Sequence, residues 1–324
     1  MLYCHSEYRA IAGHHLLLAT LMVLMLFSSA ISAAERKNGF DVSNALIDAD
    51  EIVSGGPKKD GIPAIDQPKF VAAKHVDFLT PTERVLGLVI AGVAKAYPVK
   101  ILNWHEIVND RIRGNAFVVT YCPLCGTGVA FWSNIRGLNL KFGVSGLLYN
   151  SDVLFYDRQT ESLWSQIDAK AVSGKLAGAE LQQLVLSHTT WSDWLERHPY
   201  TLVLSTKTGY LRSYNINPYA GYEESRKLYF QMNHKAPKTY HPKERMLGLN
   251  ASGTYKAYPF EELSKHGKSL FVDVVNQQTY TIYWDNVNQT GRIMDSDNNE
   301  VPVMQAFWFA WFGFHPETEV FQAQ

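Results

Sequence analysis

Cys122 and Cys125 stand three residues apart in the segment VTYCPLCGTG, and they are two of only three cysteines in 324 residues. That spacing serves three chemistries. A Cys-x-x-Cys pair can attack as a thiolate or cycle through a small disulfide where its pKa is lowered. A Cys-Pro-x-Cys-Gly turn also has the form of a metal-binding knuckle. Finally, the pair can staple a turn, although a disulfide closing so short a loop stabilises little. In thioredoxin-like sites the first cysteine opens a helix. Here Gly126-Thr127-Gly128 and the run Val129-Ala130-Phe131-Trp132 predict a turn and a strand instead. That argues against a thioredoxin fold and leaves thiol redox chemistry open.

A metal knuckle wants four ligands, and no second knuckle exists in the sequence. Histidines would have to complete the set. His105 precedes the strand leading to Cys122, and His234 and His241 lie on a long irregular segment. Such a ligand set suits zinc or copper, and the redox reading needs no metal. Against any one histidine stands the ordinary role of a surface or satisfied core residue. As catalytic groups the candidates are Cys122 and Cys125, either of which could be the nucleophile. Trp164, Ser165 and Gln166 are candidates for a cleft beside them, since polar groups next to aromatics sometimes mark pockets. Asp152 and Asp157 fall on opposite faces of one strand and do not make a carboxylate dyad. Gly143-Val144-Ser145-Gly146 lacks the spacing of a nucleophile elbow and predicts a turn.

The elements that position these residues show an internal repeat. PTERVLGLVIAGVAKAYPVKIL from Pro81 returns as PKERMLGLNASGTYKAYPFEEL from Pro242. Each copy predicts a β-hairpin with a central glycine in its turn, closed by Pro98 or Pro259. A short helix follows (VKILNWHEIVND or FEELSKHG), then a strand (NAFVVTY or SLFVDVV). His105 and His266 keep the offset. After those strands the copies diverge: CPLCGTGVAFW against NQQTYTIYW. The scaffold therefore folds without the thiols, which belong to one copy only. Between the copies lies a β-rich stretch, then a helix in TTWSDWLERHP and a buried strand in TLVLS. Residues 210–242 predict a long loop, and long loops are often functional. FWFAWFGFHPETE near the end predicts a buried strand or short helix.

The net charge of −1 argues against nucleic acid as a partner, and 46 % hydrophobic residues give an ordinary globular core. Arg9, His14 and His15 precede an apolar run from Leu16 to Phe27, and Ser32 and Ala34 offer small residues for cleavage. Residues 1–34 thus predict a signal peptide, with an uncleaved anchor as the alternative and no later span. Export to a periplasmic or extracellular compartment follows, and cleavage removes Cys4, leaving an even pair of cysteines.

The segments TYCPLCGTGVAFW, FGVSGLLYNSDVLFYDRQTESLWSQ and TTWSDWLERHP with TLVLS resemble the bacterial and archaeal domain-of-unknown-function family numbered 3179. The resemblance runs from about Asp41 to the C-terminus. It implies the Cys-Pro-x-Cys-Gly segment, kept here as Cys122, Pro123, Cys125 and Gly126, and no settled activity. The expectation is one α+β domain over 35–324, predominantly antiparallel, with short helices. Its repeated β-hairpin–helix–strand unit covers about 81–132 and 242–284. It carries a dithiol used in redox or metal chemistry; the alternative is a non-catalytic ligand- or metal-binding module whose cysteines form a structural disulfide.

Overall fold

The computed structural model describes residues 35–323. The expected signal segment lies outside the described residues. Strands take up 40 % of the chain, which makes the fold mostly antiparallel β, with four short helices among the described residues. No helix among these residues is long and apolar enough to cross a membrane. Five sheets of three to five strands form a five-bladed β-propeller. This corrects the expectation of an architecture organised as hairpin–helix–strand units. The hairpins pair with strands distant in sequence, and the strands after the helices belong to separate sheets.

The first hairpin joins Arg84–Ile90 to Val93–Pro98 through Ala91 and Gly92, both at positive φ. The second joins Arg245–Ala251 to Thr254–Pro259 through Ser252 and Gly253, again both positive. Two positive φ values define the turn whose twist matches a two-residue hairpin. Each hairpin gains an antiparallel strand on one side, Ser187–Thr190 or Met304–Phe307, and a parallel one on the other, Leu202–Leu204 or Glu319–Val320. Between each pair of flanking strands runs one helix, Trp191–Arg197 or Trp308–Phe314. Trp194 and Trp311 on these helices lie flat on Gly87 and Gly248, where a Cβ would fall 2.3 Å and 2.2 Å from the rings. Their indole N–H groups donate to Thr201 and Thr318.

The helices after the hairpins span Val99–His105 and Phe260–His266. The first is shorter than its sequence predicts. Glu106 turns left-handed and ends it, and Ile107–Ile112 becomes a strand paired with Asn115–Cys122, itself paired with Thr127–Trp132. The matching sheet is Leu270–Val275, Gln278–Asp285 and Thr290–Met294. The counterpart of Asn115–Cys122 is therefore Gln278–Asp285, one strand later than the sequence comparison places it.

A five-stranded sheet stands apart from this correspondence, in the order Lys170–Ser173, Leu163–Ser165, Asp152–Asp157, Phe142–Tyr149, Val53–Ser54. Gly143 to Gly146, expected as a turn, lies inside Phe142–Tyr149, with a bulge between Val144 and Leu147. A long stretch without helix or strand follows Leu202–Leu204 and ends at Arg245–Ala251. Its buried anchor is Lys243, whose ammonium donates to the Ser225 and Lys227 carbonyls and sits 3.8 Å from the Tyr222 ring centroid.

Candidate functional site

The thiol turn connects two core strands, closed by the Cys122–Thr127 pair, with the Cys125 amide donating to the Cys122 carbonyl. Gly126 takes φ 64° with a Phe307 ring against its α-carbon, a position where a side chain has neither room nor a relaxed backbone. Cys122 and Cys125 are buried and carry free thiols. The Cys125 thiol donates to the Ser151 carbonyl at 3.2 Å.

Ser151 belongs to the tight turn Asn150-Ser151, two left-handed residues between Phe142–Tyr149 and Asp152–Asp157. The residue after that turn is Asp152. Its carboxylate and the two sulfurs place one donor atom each within 4.8 Å of one another. Around a single ion with bonds of about 2.0–2.3 Å, such atoms stand roughly 3.5–4 Å apart, so modest side-chain rotation suffices. The turn comes from the sheet of the thiols, and Asp152 from the five-stranded sheet.

Asp152 is 1 % exposed, and its Oδ2 has no hydrogen-bond partner. Its Oδ1 lies 3.4 Å from the Thr127 hydroxyl, but that single proton goes to Gln166 Oε1 at 2.6 Å. Gln166 in turn donates to Thr120. A buried carboxylate is costly in its charged form. Burial accordingly pushes Asp152 up to about 7, while the Cys122 thiol, the Val153 amide, the Cys125 thiol and the Ile167 amide pull the other way. Burial, and then the Asp152 charge, push Glu106 up to about 8. Burial also raises Cys122, and raises Cys125 well above an ordinary thiol. Four acids thus share one buried region and hold protons there.

A cavity of about 190 Å³ opens beside Cys122, lined also by Glu106, Pro123, Leu148, Tyr219 and Phe230. Tyr219 and Phe230 come from the long loop. Burial raises Tyr219 and Tyr222, with Glu106 and Cys122 adding to the first and Cys125 and Cys122 to the second. The loop therefore roofs the thiol turn.

The other predicted residues stand as follows. His105 Nδ1 donates to the Pro63 carbonyl at 2.7 Å, so its Nε2 accepts from Tyr214 at 2.7 Å. Both nitrogens are engaged, away from the thiols. His234 and His241 are not among the donors gathered with them, and His241 Nδ1 accepts from the Lys243 amide. Gln166 reaches the site through Thr127, whereas Trp164 donates to Asp157 and Ser165 to Asp168. Asp152, Glu106 and the loop tyrosines are what the sequence reading leaves out. A signal existed for Asp152: Asn150-Ser151 between two alternating runs is a hairpin turn, which brings the next residue back beside the preceding strand.

The family described as Protein of unknown function (DUF3179) matches residues 59–318. The chain belongs to that family. No curated protein and no solved structure matches the chain. The DUF3179 match spans the thiol turn, Glu106, Asp152 and the roofing loop together.

Proposed function

We propose that this DUF3179 member is an exported metal-binding protein, in which Cys122, Cys125 and Asp152 hold one thiophilic cation, zinc or copper. The observation that carries the reading is the partnerless Asp152 carboxylate oxygen, buried within reach of two free thiols. A divalent cation supplies the charge that this region lacks and takes the place of its protons. Two thiolates and one carboxylate form a ligand set of mixed softness that suits zinc. Three protein ligands and an adjoining cavity fit a centre with an open position better than a closed structural site. Burial works against thiol redox chemistry in the metal-free protein, because it disfavours the thiolate that would attack. Export is supported by the apolar segment near the N-terminus.

The test is metal analysis of protein purified without chelator, followed by titration of the metal-free form with zinc. About one equivalent, lost in Cys122→Ser and in Asp152→Asn, is the expected result. A metal-free protein that refuses zinc and copper, or one isolated with a Cys122–Cys125 disulfide, overturns the proposal.

A further inference from the structure

Two helices end alike, but with different residues. Val99–His105 is capped by Glu106 at φ 58°, ψ −32°, and Phe260–His266 by Gly267 at φ 69°, ψ 4°. Glycine is the residue suited to a left-handed cap, and a residue with a Cβ is strained there. The backbone work is the same in both. The Glu106 amide donates to the Leu102 carbonyl, and the Gly267 amide to the Leu263 carbonyl. Nothing in that capping calls for a carboxylate.

The Glu106 side chain is also without a partner among the described residues. It is 8 % exposed and makes no hydrogen bond or ion pair among the described residues. A buried carboxyl without a partner on a strained backbone is a double cost. Costs of this kind concentrate where a group must meet something the folded chain does not itself supply. Glu106 faces the cavity it shares with Cys122, whose walls are otherwise largely apolar: Pro57, Ile62, Leu124, Leu148 and Phe230. Cys125 and Asp152 do not line that cavity, so it reaches the donor cluster from the Cys122 side.

We infer that Glu106 is a positioning residue: its carboxyl accepts a hydrogen bond from an O–H or N–H group of a small molecule held on the cavity side of the metal. This rests on the metal reading above. The cavity, at about 190 Å³, has room for water or a compound of a few heavy atoms.

The experiment uses the full chain loaded with cobalt(II), whose visible spectrum reports its coordination. Acetohydroxamate, a small metal ligand carrying an N–H, is the probe. Glu106→Gly and Glu106→Gln are expected to bind cobalt as the unsubstituted protein does. The glycine variant should then bind acetohydroxamate about three- to tenfold more weakly, having lost the hydrogen bond to the carboxyl. The glutamine variant, which keeps a carbonyl acceptor, should fall between. Glu106→Gly should also melt higher than the parent, because the strain is relieved. Unchanged acetohydroxamate affinity in both variants overturns the inference and leaves the metal reading intact. Loss of cobalt from both makes Glu106 a ligand rather than a positioning residue, and overturns it too. A parent protein that takes up no cobalt overturns both.

Discussion

Cys125 and Asn288 occupy the same position in two matching turns. Each turn has four residues, closed by Cys122 with Thr127 in one and Asp285 with Thr290 in the other. The residue after each is at positive φ, Gly126 at 64° and Gln289 at 46°. In the second turn Asp285 accepts the amides of Val287 and Asn288 and the side-chain amide of Asn288. Ordinary Asx hydrogen bonding therefore closes the turn that carries the thiols in its counterpart.

The thiols are accordingly dispensable for folding. Cys125→Ser keeps a donor for the Ser151 carbonyl and should cost the metal-free protein no more than about 1–2 kcal/mol, while abolishing zinc uptake. Urea unfolding of metal-free protein, with and without reductant, checks this. A reductant-sensitive midpoint in the parent, or collapse of the variant, would return the cysteines to a stapling role.

The raised carboxyls make a pH signature of the metal-free state. Asp152 and Glu106 hold protons in the folded protein up to about 7 and about 8, well above the range in which an unfolded chain releases them. Between those ranges the folded state binds more protons than the unfolded one, so stability falls as pH rises. The contribution is fully present below the unfolded pKa values and gone once pH has passed about 8. Melting temperatures of metal-free protein should decline from pH 5 to pH 9, with a shallower slope in Asp152→Asn and in Glu106→Gln. Saturating zinc should flatten the decline, since the cation replaces the protons. A slope indifferent to both substitutions would contradict the assignment of these two groups.

The hairpins were legible because Leu-Gly-Leu, the turn glycine and Lys-Ala-Tyr-Pro recur at one offset. The flanking helices carry an equally clear signal that the sequence reading passes over. Trp191, Trp194, His198, Pro199 and Thr201 match Trp308, Trp311, His315, Pro316 and Thr318 in order and spacing. Reading residues 107–110, the start of the strand Ile107–Ile112, as helix shifted the comparison of the later strands, and only Thr127-Gly128 against Thr290-Gly291 could have restored it. The cause is local: nothing about Glu106 in sequence announces a left-handed residue, whereas Gly267 does. The cysteines were legible from spacing. The hairpin turn before Asp152 was legible at Asn150-Ser151, but the approach of Asp152 to the thiols was not, because it depends on two sheets meeting, and tertiary contact has no local signature.

The paired Gly–Trp contacts predict matched sensitivity in both hairpins. A methyl at Gly87 or Gly248 meets indole atoms 2.3 Å or 2.2 Å away, inside any van der Waals limit. Trp194 and Trp311 cannot simply withdraw, since each indole N–H is tied to a threonine. Gly87→Ala and Gly248→Ala should each destabilise by about 1–3 kcal/mol or more through overpacking. Denaturant midpoints measure this, and a neutral result at either glycine would show that its indole repacks freely.

Arg245 and Glu223 fasten the roof over the thiols, through paired bonds of 2.6 Å and 2.8 Å. The matching arginine, Arg84, instead donates to the Asn288 and Gln289 carbonyls of the second turn. The loop has thus supplied a carboxylate where the other half uses backbone. Glu223 is about half exposed, so the pair is worth up to ~1 kcal/mol, equivalent to about a fivefold change in how often the loop opens. Glu223→Ala should therefore raise the rate at which iodoacetamide labels metal-free protein by about fivefold. Cys122, which lines the cavity, should react ahead of Cys125, which does not. Bound zinc should suppress labelling in parent and variant alike. Equal rates with and without Glu223 would mean that the loop opens elsewhere, around Lys243 and Tyr222, and that the ion pair has no part in access to the thiols.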